Sequence, residues 1–192
     1  MDSLSRERVL ALLRGRFGRD YRYEEECAST QRLLDDRPEG AVAATDFQSE
    51  GRGRLGRRWE APRGTSLLFS IALEPGVPAE RLPELSLVAG EAVSAAIAEL
   101  AGVSPEIKLP NDVLLGGRKV AGILAEASQG RVVLGVGVNV HQDVTQVFPG
   151  ATSLAIESSG EVDRAELLAE ILARLEPAYE DWTTGLRLPA GS

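Results

Sequence analysis

The chain is poor in the side chains that most often carry chemistry. Its 192 residues include one cysteine, Cys27, and one histidine, His141. A lone cysteine excludes an internal disulfide framework and gives no metal cluster. Cys27 reads as a small buried hydrophobe rather than a nucleophile, because only His141 is available to activate it. His141 itself follows GVGVNV and reads as a surface residue at a strand end. Long apolar runs are also missing. The longest, such as VVLGVGVNV, are too short and too rich in glycine to span a bilayer. The N-terminus, MDSLSRERVL, has charges where a signal peptide needs an apolar core. These features lead us to expect a cytoplasmic protein that makes no use of a membrane. Positive charge is scarce too. A formal net charge of −8 leaves no room for a broad basic face, which argues against nonspecific nucleic-acid binding.

What is present suits one ordinary domain over residues 1–192, with 43% hydrophobic residues to build a core. Residues 3–17 space Leu4, Val9, Leu10, Leu13 and Phe17 as one helical stripe after a serine cap. One helix is too little for a winged-helix DNA-binding module. YRYEEECAST alternates briefly, a short helix is expected through QRLLDD, Pro38-Glu39-Gly40 makes a turn, and AVAATDF reads as a strand. Ala61-Pro62-Arg63-Gly64 then turns into the apolar strand SLLFSIAL. Residues 83–100 predict a helix that starts on proline and ends before Gly102. Residues 105–140 predict a meander with turns at Gly116-Gly117 and Gln129-Gly130, and VDRAELLAEILARLEPAYEDW predicts a closing amphipathic helix. There are no repeats or low-complexity linkers. The pattern indicates α+β, with a mixed, mostly antiparallel sheet flanked by helices.

Against the acidic background, residues 51–59, GRGRLGRRW, hold four arginines and three glycines in nine positions. Gly51, Gly53 and Gly56 formally match a dinucleotide-binding fingerprint, but that fingerprint needs a helix to open inside it. Here Arg57-Arg58-Trp59 runs into a proline turn instead. A solvated basic loop is the alternative, yet arginines this close repel one another without a partner. A bound polyanion resolves the conflict. Arginine offers planar paired donors to phosphate, and glycine lets backbone N–H groups approach it. Such a loop is expected to be mobile when empty and to order over a phosphorylated ligand.

Lys108-Leu109-Pro110-Asn111-Asp112 then places a cation, an amide and a carboxylate beside a rigid proline at a strand connection, and Arg118-Lys119 follows across the hairpin turn. With CAST, DFQSEGRG, GRGRLGRRW, KLPNDV, RKVAGILAE and GVGVNV in this order, residues 25–183 resemble the catalytic domain of biotin protein ligases. The resemblance implies a class II synthetase-like fold. It also implies an ATP- and Mg2+-dependent enzyme that joins its substrate biotin to AMP, then passes biotin to a lysine of a biotin carboxyl carrier protein domain. By motif, Ser29, Thr30 and Gln31 resemble the segment lining the ureido pocket, and Gln48, Arg52, Gly53 and Arg54 the loop that holds biotin and adenylate. Arg57 falls in the same loop. Lys119 matches the lysine that contacts the biotin carboxylate and the α-phosphate, and carries the main catalytic assignment with Arg54 and Asp112. Asn111 and Asn139 resemble residues near the adenine. Asp112 is assigned to orienting the incoming lysine or to helping hold magnesium. Gly122 and Gly135 are assigned to letting backbone amides approach biotin. Trp59 is assigned either to covering the ligand or to the core.

The chain departs from the family at two positions, with Leu109 where the family usually has tryptophan and Gln31 where it usually has asparagine. The resemblance also leads us to expect no winged helix, hence no DNA partner, and an absent or truncated small C-terminal domain. A homodimer through an exposed sheet edge is plausible on the same ground. Two rivals stand beside biotin ligation. One is a lipoate–protein ligase or octanoyl transferase of related fold, which would want a more apolar pocket. The other is a non-catalytic biotin-binding protein, against which Lys119 and the loop arginines speak.

Overall fold

The computed structural model describes residues 3–185. Its frame is one seven-stranded sheet in the order β1-β2-β3-β7-β6-β5-β4. The strands are β1 (Tyr21–Glu24), β2 (Val42–Thr45), β3 (Ser66–Leu73), β4 (Glu106–Lys108), β5 (Asp112–Leu115), β6 (Arg118–Ser128) and β7 (Arg131–Asn139). Only β1 and β2 run parallel; the other pairs are antiparallel. The mixed, mostly antiparallel α+β sheet expected from the sequence is therefore present.

Strand alternation divides the sheet into two unlike faces. Leu67, Phe69, Ile71 and Leu73 of β3, with Leu134, Val136 and Val138 of β7, join one large buried core. Helices α2 (Leu85–Ala101) and α4 (Arg164–Thr184) cover that face, with α1 (Arg6–Leu12) packed on α4. The alternate residues, Leu68, Ser70, Gly135, Gly137, Gly122 and Leu124, fall on the other face and line a cavity. Glycine and serine leave room there that larger side chains would fill.

Several expected boundaries shift for local reasons. The N-terminal helix is Arg6–Leu12 rather than 3–17, because the Glu176 carboxylate accepts the N–H groups of Arg16 and Phe17 and draws the chain off the helical path. The helix expected over 83–100 begins at Leu85, since Pro83 lies in a preceding 3-10 segment, Ala79–Glu84. Its end is as expected, with Gly102 left-handed at φ 65°. The short helix expected through QRLLDD is a 3-10 helix, Thr30–Leu34. The Arg131 guanidinium caps its end by donating to the carbonyls of Leu34 and Asp35 at 2.9 and 3.0 Å. A short helix not expected from the sequence, α3 (Leu154–Glu157), starts where the Ser153 side chain accepts the Ile156 N–H. In α4, Asp163 accepts the N–H groups of Ala165 and Glu166 as an N-cap. Among the described residues, no helix is long and apolar enough to cross a membrane.

Candidate functional site

A cavity of about 300 Å³ opens on the face of the sheet opposite α2 and α4. Its floor is the centre of β3, β7 and β6, one end is the 3-10 segment that follows Cys27, and its roof is the arginine loop. Ser29, Thr30, Gln31, Gln48, Arg52, Gly53, Arg54, Arg57, Trp59, Asn111, Lys119, Gly122, Gly135 and Asn139 all line it. Of the site residues expected from the sequence, only Asp112 lies outside the lining, and it reaches the site through Lys119.

The polar end is built by two short segments lying side by side. Cys27 N–H donates to Phe47 O, and the N–H groups of Ser49 and Glu50 donate back to Cys27 O and Ala28 O. This pairing brings Gln48 against Thr30. Gln48 Oε1 accepts both the Thr30 N–H at 2.8 Å and the Thr30 hydroxyl at 3.1 Å, which leaves the Gln48 amide N–H groups for the cavity. Thr30 Oγ1 also lies 2.7 Å from Ser70 Oγ, with either atom as donor. Asp46 anchors the Gln48 segment from behind. It accepts from Arg164 at 2.8 Å and from the Tyr23 hydroxyl at 2.6 Å. Burial, and then the bond to Asp46, pushes the Tyr23 pKa up to about 12.

The arginine loop folds as a flap. Trp59 N–H donates to Gly51 O at 3.0 Å and Gly53 N–H to Arg57 O at 2.8 Å, so the stretch closes as a narrow hairpin. At Gly51 a Cβ would fall 2.2 Å from Trp59 O, so glycine is required at the base of the flap. No α-helix opens here, but a single 3-10 turn, Arg54–Gly56, forms the tip and leaves Leu55 90% exposed. Arg52 pairs with Glu126 at 3.1 Å, and Arg58 donates to Ser49 O. Arg54 reaches across to Asn111 Oδ1 at 3.4 Å. Among the described residues neither Arg54 nor Arg57 meets a carboxylate, so two uncompensated cations hang over the cavity.

At the root of the flap, the Trp59 indole forms a wall of the cavity. Gly122 and Gly137 stand opposite each other on β6 and β7. A Cβ at Gly137 would come 2.7 Å from Trp59 Cε2, and one at Gly122 would come 2.9 Å from Trp59 Cζ3. The glycines therefore make room for side chains. At Gly135, likewise, the nearest neighbour of a Cβ would be Gln31 Nε2, at 3.2 Å. Gly122 and Gly135 both line the cavity, and the Trp59, Lys119 and Gln31 side chains occupy the space that a Cβ at either would need.

Lys119 sits where the β5–β6 register slips between Val113 and Leu114. The irregularity frees its backbone to pair with the 150–152 segment, with N–H to Gly150 O at 3.0 Å and C=O from Thr152 N–H at 2.8 Å. Its ammonium lies 2.7 Å from Asp112 Oδ1 and 5.5 Å from the centre of the Trp59 ring. The Asp112 contact is an ion pair by distance without hydrogen-bond alignment. Asn111 Nδ2 donates to Ile123 O at 2.9 Å, which fixes its oxygen toward Arg54. Asn139 is tied into the frame, donating to Thr152 O and accepting from Gln142, both at 2.9 Å.

A magnesium role for Asp112 does not fit these surroundings. No group of three or more carboxylate, histidine or cysteine side chains converges anywhere among the described residues, and Asp112 already faces an ammonium. Cys27 is half-buried rather than buried, and burial raises its thiol pKa, which suits the inert role expected of it. His141 is also half-buried rather than on the surface, its N–H given to Thr65 O. Ser70 and Gly137 line the site without having been expected. Their signals are one hydroxyl inside SLLFSIAL, and a glycine two places from Gly135 and so on the same strand face.

Residues 22–143 match the Biotin/lipoate A/B protein ligase family. The bifunctional ligase/repressor BirA of Bacillus subtilis is 37% identical over 177 residues, covering 84% of this chain and 54% of that protein. The biotin–[acetyl-CoA-carboxylase] ligase of Mycobacterium tuberculosis is 41% identical over 148 residues, covering 75% of this chain and 56% of that one. The chain thus spans about half the length of the curated relatives it matches. Among solved structures, the biotin protein ligase of Aquifex aeolicus in complex with biotin and ATP superposes with a TM-score of 0.78 at 33% identity, over 86% of this chain and 72% of that one. With this match in sequence and in fold, the chain belongs to the biotin/lipoate A/B protein ligase family.

Proposed function

We propose that the chain carries the catalytic unit of an ATP-dependent biotin–protein ligase. One observation carries the choice: a narrow cavity has a hydrogen-bonding end at Thr30, Gln48 and Ser70 and a cationic end at Lys119, Arg54 and Arg57. A bicyclic urea on a short acid chain has complementary ends. Its ureido oxygen meets the free amide hydrogens of Gln48, and its carboxylate meets the ammonium of Lys119. A linear acyl chain would leave the polar end unmatched.

In the first half-reaction, a carboxylate oxygen attacks the α-phosphorus of ATP and the bond to pyrophosphate breaks. Two anions must meet, so positioned cations are the main requirement. Lys119 is close enough to Asp112 to exchange that partner for the developing charge, while Arg54 and Arg57 close from the flap. In the second half-reaction, a neutral lysine amine of the carrier domain attacks the acyl carbon. The acyl–phosphate bond breaks, AMP leaves, and the amine gives up a proton. Asp112, released from Lys119, is the nearest carboxylate to take it. The flap excludes water until then. Magnesium arrives with the nucleotide. The carrier is a biotin carboxyl carrier domain, and the exposed edge strand Glu106–Lys108 suits pairing with a second copy.

Incubation with biotin, MgATP and a carrier domain, read by the mass of the carrier and by pyrophosphate release, tests this. Biotinylated carrier is expected, with Lys119→Ala slower by about 10²- to 10³-fold in adenylation. Pyrophosphate release at background with biotin, or faster release with lipoate or octanoate, overturns the proposal.

A further inference from the structure

Arg164 is a buried cation in a place that disfavours one. It is the first residue of α4, where the helix dipole favours an anion, and it is only 4% exposed. Arginine is seldom buried unless it is paired, and the partners here lie on both sides of one gap. Its Nη1 donates to Asp46 Oδ1 at 2.8 Å and to Ser66 O at 3.2 Å.

Asp46 and Ser66 mark the two legs of the loop that carries the flap. The chain leaves the sheet after β2 at Asp46, runs through Gln48, the arginine flap and the Pro62 turn, and re-enters as β3 at Ser66. Gly64 N–H donates to Asp46 O at 2.9 Å, which closes the neck along the backbone. The Tyr23 hydroxyl donates to the second carboxylate oxygen, Asp46 Oδ2, at 2.6 Å. One guanidinium nitrogen therefore ties the outgoing leg to the returning one, although Arg164 lies outside the cavity lining. Stability alone does not account for this. Apolar residues of similar volume often match or exceed a buried ion pair, so what the pair supplies is direction.

We propose that Arg164 is a positioning residue for adenylation: by pinning both legs of the loop at their neck, it sets where Arg54 and Arg57 rest over the cavity. The inference rests on the function proposed above and adds to it a control point on α4. Gln48 follows Asp46 by two residues, so a rotation at the neck is carried into the pocket and out to the flap root. A misplacement of about 1 Å, even from a change far from the chemistry, costs about 10²-fold in rate.

The test removes both charges together, Arg164→Met with Asp46→Asn, so that no unpaired ion stays buried. Tyr23→Phe, a second variant, removes one tie and leaves the ion pair. Pyrophosphate release with biotin and MgATP gives kcat and KM, and trypsin on the ligand-free chain reports opening of the flap at its arginines. The double variant should melt within about 4 °C of wild type. Its kcat should fall by about 10- to 100-fold, while KM for biotin and for ATP rises about 5-fold or more and flap cleavage quickens by a similar factor. Arg164→Lys, which keeps the cation, should recover part of each loss. A merely structural arginine would lower the active fraction, which scales kcat and leaves KM and flap cleavage unchanged. That pattern, or wild-type kinetics in the double variant, overturns the assignment. If the double variant does not fold, Tyr23→Phe decides: higher KM and faster flap cleavage support the neck, and wild-type values overturn it. A wild-type chain that releases no pyrophosphate with biotin overturns the function, whereas flap cleavage of the double variant at the wild-type rate overturns the neck by itself.

Discussion

Replacing Gly137 by alanine should damage ligand binding while leaving the fold intact. Gly137 lies in mid-strand without a left-handed φ, so alanine is conformationally acceptable there. By narrowing the unfolded ensemble, the change alone would stabilise the chain by about 0.4–1 kcal/mol. The added methyl would, however, stand 2.7 Å from Cε2 and 2.8 Å from Cζ2 of Trp59. A rigid ring cannot yield like the end of a flexible chain, and Trp59 is fastened at its N–H to Gly51. The root of the flap must move instead. Overpacking of this kind costs about 1–3 kcal/mol, and it falls only on the closed flap. Biotin affinity should therefore drop by about 5- to 150-fold while the ligand-free melting temperature holds or rises. Calorimetry gives the affinity. Tryptophan fluorescence gives the ring displacement, against the constant signal of buried Trp182. A double-mutant cycle with Trp59→Leu isolates the contact, because the alanine should lose its effect once the indole is gone. An equal loss in both backgrounds, or an affinity within about twofold of wild type, would refute the argument.

Arg54→Gly removes the link from the flap tip to Asn111 and one of the two uncompensated cations. Adenylate formation should persist while the intermediate escapes about 10-fold or more faster, as seen by quenched-flow release into solution. Tyr23 predicts the alkaline limit of stability. Its folded pKa is raised, so the phenol stabilises the fold fully below pH 10 and the contribution is lost as pH climbs from 10.0 toward about 12. Denaturant melts across that range should show the decline, and Tyr23→Phe should remove this share of it.

The sequence carried much of the frame because alternation and turn chemistry are local. SLLFSIAL and RVVLGVGVNV read as strands from their own composition, and Gly116-Gly117 marked its hairpin. The cavity was less readable, because its shape comes from register. Nothing near Trp59 announces that two glycines some 63 and 78 places onward will face each other and receive its ring. Ser70 counts as a polar floor only after β3 is known to sit between β2 and β7. The helix boundaries failed for a similar reason. The Glu176 carboxylate that ends α1 arrives from the other end of the chain.

Trp59 belongs at once to the flap and to the chamber beneath it. The chamber is therefore unfinished whenever the flap stands away, and an arriving molecule must complete one side of its own container. The apparent dissociation constant becomes the intrinsic one divided by the fraction of molecules already shut. Changes at the hinge glycines, remote from any bound atom, will then alter occupancy and dwell time in step, since door and wall are a single piece.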